Sequence, residues 1–174
     1  MSKLSLIKSH VILAELNRAA TQLIKKLGLE KHPEGGYFKE TYKSGITTNI
    51  AGYDGPRHAA SAIYYMLVGD QFSAFHRIKS DELWHHYAGS PLILYTIDTD
   101  GKLSKIKMGK GGVPQAVIKA DTWFAASPNN KNSYCLLGCT VSPGFDYRDW
   151  ELAKRAELIK LYPQHRALIE RYTK

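Results

Sequence analysis

Between Gly69 and Gly89 the chain carries His76, Trp84, His85 and His86 on two short runs of strand-forming residues, 72–78 and 83–88, with Glu82 immediately before the second. Side chains alternate between faces on a strand, so His76 shares a face with Phe72, Ala74 and Ile78, while Ser73, Phe75 and Arg77 take the other. Glu82 and, in the second run, Trp84, His86 and Ala88 fall together. If both faces turn inward, a carboxyl, an indole and two imidazoles meet in one largely apolar cavity, the usual make-up of a small-molecule site. Imidazole titrates near neutrality and serves as a general acid or base when a carboxylate orients it. Glu82 is the first candidate for that carboxylate, and Asp146 or Asp149, in the run Pro143–Asp149, the second. With 11 tyrosines the sequence selects no complementary proton donor; Tyr37, Tyr42 and Tyr64 lie on candidate strands where packing accounts for them.

A tight zinc, iron or manganese site takes three or more ligands from His, Asp, Glu and Cys. On these two runs His76 and Glu82 are the candidates, with His86 about 13 Å along the strand from Glu82; a metal-independent pocket is expected, with a site built on His76 and Glu82 as the alternative. Other enzyme classes find no motif: there is no Gly-rich phosphate loop, no G-x-S-x-G elbow and no H-E-x-x-H helix. Cys135 and Cys139 lie about 13 Å apart if they share a strand, too far for a disulfide, and are expected to be buried thiols.

The elements that must hold these residues are short strands. Candidates are 36–43, 59–68, 72–78, 83–88, 91–97, 103–108, 115–119, 122–126 and 133–141. Turn signals such as Asp98-Thr99-Asp100-Gly101 separate them and argue for an antiparallel sandwich or barrel. Before them, residues 10–27 read as an amphipathic helix with Ile12, Leu16, Leu23 and Leu27 at helical spacing and Gly28 as its cap. After them, a helix is expected from Asp149 or Trp150 to Ile159, and a second over 163–172 beyond the interruption at Pro163.

A chain of 174 residues, 44% hydrophobic and 23% charged, fits one domain over 1–174: a helical segment at 1–30, a β-body at 35–149 and C-terminal helices at 150–174. No apolar run reaches the roughly 20 residues that cross a bilayer, and the first residues do not form a signal peptide, so a cytoplasmic protein without a membrane partner is expected. The net charge of +8 is scattered and accompanied by no nucleic-acid-binding pattern, which argues against a nucleic-acid partner. It would suit a phosphorylated ligand.

Gly69, His76, Glu82 and Gly89 are spaced as in the first motif of the cupins, with Ile78 at the position of the second His of their His-x-His. Lys119, Asp121 and Phe124 fill the Pro, Gly and His positions of their second motif. The segments His32–Tyr42, Phe75–His85, Trp123–Ala126 and Gly138–Asp146 resemble a cupin subfamily described as predicted sugar epimerases. The resemblance implies a mainly β fold, a cupin-type antiparallel jelly-roll barrel, with a homodimeric assembly and a cavity inside the barrel. It also implies kinship with metal-free dTDP-sugar epimerases that use a His base, an Asp partner and a Tyr acid. His76 matches the base and Asp146 the partner, while the Tyr finds no match. The expectation is therefore a small carbohydrate-like ligand, epimerised or isomerised without a cofactor by His76, with Glu82 and Asp146 assisting. Tyr37, Glu40, Tyr42, Trp84, His86 and Phe124 are the candidate ligand contacts. A non-catalytic binding protein and a metal-dependent enzyme using His76 and Glu82 are the alternatives.

Overall fold

A computed structural model describes residues 18–174. Helix α1 covers 18–27 among these, closed by Gly28; the expected turns at 10–17 lie outside the described residues. The strands that follow are β1 (Glu30–Lys31), β2 (Tyr37–Lys43), β3 (Thr47–Thr48), β4 (Arg57–His58), β5 (Ser61–Val68), β6 (Ser73–Ile78) and β7 (Asp81–Gly89). Next come β8 (Leu92–Ile97), β9 (Leu103–Met108), β10 (Gln115–Ile118), β11 (Trp123–Pro128), β12 (Tyr134–Ser142) and β13 (Trp150–Leu152). Helices α2 (Arg155–Leu161) and α3 (Arg166–Arg171) end the chain. No helix of the described residues is long and apolar enough to cross a membrane.

All nine strands expected from the sequence form, each within two residues at either end. They pair antiparallel into a six-stranded sheet, β1-β2-β5-β12-β7-β10, and a five-stranded sheet, β13-β6-β11-β8-β9. The two sheets close on a core containing Tyr65, Leu67, Trp84, Leu94, Phe124 and Leu137. Cys135 and Cys139 are both buried there as free thiols. The antiparallel sandwich or barrel expected from the alternating pattern, and the mainly β fold implied by the cupin resemblance, are thus observed.

The C-terminal segment differs from its expected helix. Asp146 caps a 3-10 turn over Tyr147–Asp149, its side chain accepting from the Arg148 N–H, and the chain then runs extended as β13 against β6. Helix begins only at Arg155. Trp150, Glu151 and Leu152 have helix-compatible side chains; an open edge on β6, invisible to local periodicity, draws them into a sheet. The consequence is functional, because β13 sets Trp150 beside His76.

Candidate functional site

One end of the barrel holds a cavity of about 310 Å³. Its deepest polar element is an imidazole–carboxyl pair in which His76 Nε2 lies 3.0 Å from Glu34 Oε2, both side chains almost fully buried. The other ring nitrogen of His76, Nδ1, is 2.7 Å from the carbonyl oxygen of Ala74. A carbonyl only accepts, so Nδ1 carries a hydrogen and Nε2 is left facing the Glu34 carboxyl. Ser73 Oγ donates to Glu34 Oε1 at 2.8 Å. Both carboxyl oxygens are therefore held, as an oriented acid–base pair requires.

Glu34 reaches this position through its turn. The Glu34 carbonyl accepts from the Ala74 N–H at 3.0 Å, and the backbone of Gly35 presses so closely on β6 that a Cβ there would stand 2.1 Å from the Phe72 carbonyl oxygen. With φ of +126° as well, only glycine fits. Tyr65 OH locks the same turn by donating to the Gly35 carbonyl at 2.8 Å. Burial raises the Tyr65 phenol well above its ordinary range, so it stays protonated.

His32 stands on the far side of Glu34, packed edge-on against Phe38 and Tyr65. Burial lowers its pKa, and its Nδ1 accepts the Glu34 backbone N–H at 3.4 Å, so it is a neutral ring with the hydrogen on Nε2. Glu82 lines the same cavity from β7. Burial, aided by the charge of Glu34, raises its pKa to about 8. At neutral pH Glu82 is a carboxylic acid, able to donate a hydrogen bond. The Trp84 indole N–H opposes that rise by facing the Glu82 carboxyl, though without a hydrogen bond of good geometry, and Nε1 of Trp150 has no partner among the described residues. Both atoms are buried.

The mouth is built by Phe145, Tyr147 and Trp150, three rings in successive T-shaped contacts at 5.0 and 5.9 Å. Asp146 also lines it and is paired with Arg148 at 2.8 Å, which holds its carboxyl well below the usual range. Glu40 and Lys43 line the opposite wall and pair with each other at 3.1 Å.

Of the residues expected at the site, His76, Glu82, Trp84, Glu40 and Asp146 line the cavity. Phe124 does not; it lies behind His76, ring centroids 4.0 Å apart, and supports the imidazole. Tyr37 packs toward helix α1, Tyr42 is largely exposed, and His86 turns away to the Ser90 carbonyl. The carboxyl touching His76 belongs neither to Glu82 nor to Asp146 but to Glu34, 42 residues upstream. The sequence offered Glu34 only as part of the His32–Tyr42 segment, where Glu34-Gly35-Gly36 reads as a turn entering a strand. Ser73 is a second omission. His76 pairs with Phe124 but Ser73 with Ala126, so three residues of β6 span two of β11. This bulge reverses the face of Ser73 and brings its hydroxyl to the site.

A metal does not fit this wall. Ile78 and Phe124 occupy two ligand positions of the cupin motifs, and the His76 Nε2 is engaged by Glu34. Among the described residues no three His, Cys, Asp or Glu side chains gather as a ligand set.

Two facing antiparallel sheets around a cavity with an acid–base floor define a cupin-type barrel. The family model for the Cupin superfamily (DUF985) matches residues 21–153, and the chain belongs to that family. An uncharacterized protein of Saccharomyces cerevisiae, YML079W, is 30% identical over 158 residues, covering 80% of this chain and 77% of its own. A hypothetical protein from Leishmania major superposes with a TM-score of 0.81 at 34% identity, over 88% of this chain and 98% of that one. Protein SO0799 from Shewanella oneidensis gives the same score and identity over 89% and 97%. Oxalate decarboxylase from Bacillus subtilis shares the fold alone, with a TM-score of 0.53 at 9% identity over 82% of this chain and 36% of its own.

Proposed function

We propose that the cavity binds a small sugar-like metabolite bearing a carbonyl, and that the His76–Glu34 pair moves a proton on the carbon beside it. The observation that carries this reading is the 3.0 Å contact between His76 Nε2 and Glu34 Oε2 on the cavity floor. Because Glu34 covers Nε2, the Glu34 carboxylate is the atom group that meets the substrate, and His76 orients it and balances its charge. The C–H bond breaks, its proton goes to Glu34, and its electron pair moves onto the carbonyl oxygen. Neutral Glu82 donates a hydrogen bond to that oxygen, where charge develops. Return of a proton to the other face of the carbon is epimerisation; return to the neighbouring carbon is isomerisation. Within the same reading the protein is a homodimer, supported by the exposed rings of Tyr42 and Tyr87 on the six-stranded sheet. A solution mass of 19.6 kDa would overturn that assembly.

The test is solvent deuterium exchange into a panel of keto- and aldo-sugars followed by NMR. Glu34→Gln and His76→Ala should each lower exchange by at least about 100-fold, the typical contribution of a positioned acid–base group. Undiminished exchange in both variants, or near-stoichiometric bound iron, manganese, nickel or zinc in active protein, would overturn the mechanism. Binding without exchange would leave a non-catalytic sugar-binding protein.

A further inference from the structure

The proposed proton transfer leaves open whether the sugar arrives free or carried on a nucleotide, and the wall of the cavity bears on that choice. The net charge of +8 taken alone favours a phosphorylated ligand. The groups nearest the ligand carry no such excess: Glu82 is a neutral acid, and Glu34, Glu40 and Asp146 each face a basic side chain. Among the described residues the cavity is lined by four carboxyl residues, Glu34, Glu40, Glu82 and Asp146, one lysine, Lys43, and no arginine. That lysine is already paired with Glu40, and the Arg148 guanidinium beside the mouth is held by both oxygens of Asp146. A phosphate entering here would find no uncommitted Lys or Arg among the described lining residues to balance its charge.

Two further features describe what does fit. Among the described residues the buried indole N–H of Trp150 has no acceptor and that of Trp84 faces only the Glu82 carboxyl, without a hydrogen bond of good geometry, a condition that a ligand presenting two acceptor oxygens would relieve. The volume of about 310 Å³ stands at the lower end of small-molecule pockets, which run from about 300 to 1,000 Å³. Resting on the carbonyl-sugar reading above, we infer that the ligand is an uncharged, unphosphorylated sugar or sugar lactone of monosaccharide size, anchored by the indole N–H groups of Trp84 and Trp150. Its hydroxyl and carbonyl oxygens accept from the two indoles, and its C–H face lies on the ring of Tyr147 or Phe145 at the mouth.

Binding is measured by saturation-transfer NMR and calorimetry on the purified full chain. The probes are D-glucose, D-galactose, L-rhamnose and gluconolactone, against glucose 6-phosphate and dTDP-glucose. At least one uncharged probe should bind, with its phosphorylated or nucleotide-linked counterpart at least tenfold weaker. Trp150→Phe and Trp84→Phe should each weaken that binding about three- to tenfold, the effect of one lost hydrogen bond, with the loss in affinity and not in site number. If Trp84→Phe does not fold, Trp150→Phe, at the partly exposed mouth, decides alone. Preferred binding of the phosphorylated probes, no binding of any uncharged probe, or unchanged affinity in the folded tryptophan variants would overturn the inference. Uncharged probes that bind without deuterium exchange would overturn the catalytic reading and leave this one standing. Exchange confined to glucose 6-phosphate would do the reverse.

Discussion

Glu82 shows how one residue's surroundings reset its chemistry. In the unfolded chain its proton leaves near pH 4.5; in the folded protein burial holds it to about pH 8. Between those values the folded state binds the extra proton, so stability is complete below about pH 4.5 and declines as pH rises to 8, by up to roughly 1.4 kcal/mol per pH unit. Glu82→Gln keeps the shape and removes the titration. Chemical denaturation of the two proteins should give similar stabilities at pH 5 and a Gln variant more stable by a few kcal/mol at pH 8; parallel curves across the range would show that Glu82 is not held neutral. Phe124 makes a different contribution. It is fully buried between His76 and Trp84. Phe124→Ala should cost about 3–5 kcal/mol in denaturant melts and loosen the imidazole it supports.

At the scale of the element, two glycines fix where functional segments can run. Gly89 ends β7 at φ +89°, and a Cβ there would lie 2.2 Å from the Tyr134 carbonyl oxygen of β12. Gly28 also has positive φ, +63°, but nothing stands within 4 Å of the added carbon. Gly28→Ala should therefore cost only about 1 kcal/mol for the backbone conformation, and Gly89→Ala distinctly more, since a strand must move as well. Equal losses in thermal melts would refute the steric argument. Strand positions were legible because alternation and turn residues are local. The β6 bulge was not, and with it the face of Ser73; one extra residue undoes period-two reasoning without leaving a mark in composition. Nor was β13, because a free sheet edge on β6 outweighs the helical pattern of 150–152.

Across the whole molecule, long-range ties hold the cavity mouth. Arg57 on β4 grips Asp149 with two hydrogen bonds, 2.6 and 2.9 Å, both side chains buried, and so fastens the 3-10 turn that carries Tyr147. The Asp81–Lys119 pair at 2.8 Å is by contrast exposed. Asp149→Ala leaves a buried guanidinium without its partner and should lower the Tm clearly, whereas Asp81→Ala, at a solvated pair, should shift it little. Similar shifts for both would show that burial of the first pair carries no weight. The family match spans the barrel and the floor residues alike, from residue 21 to 153.

The sequence by itself determined a mainly antiparallel β fold and the strands that carry His76 and Glu82 to its cavity. Alternation, turn residues and motif spacing are properties of neighbours in the chain, so they survive without coordinates. Only the tertiary structure decided that Glu34 is the carboxyl on His76, that Ser73 supports it, and that a basic protein presents a carboxyl-rich wall to its ligand. Those facts depend on which residues far apart in the chain are folded together, and on burial. Neither leaves a local signal for a sequence to carry.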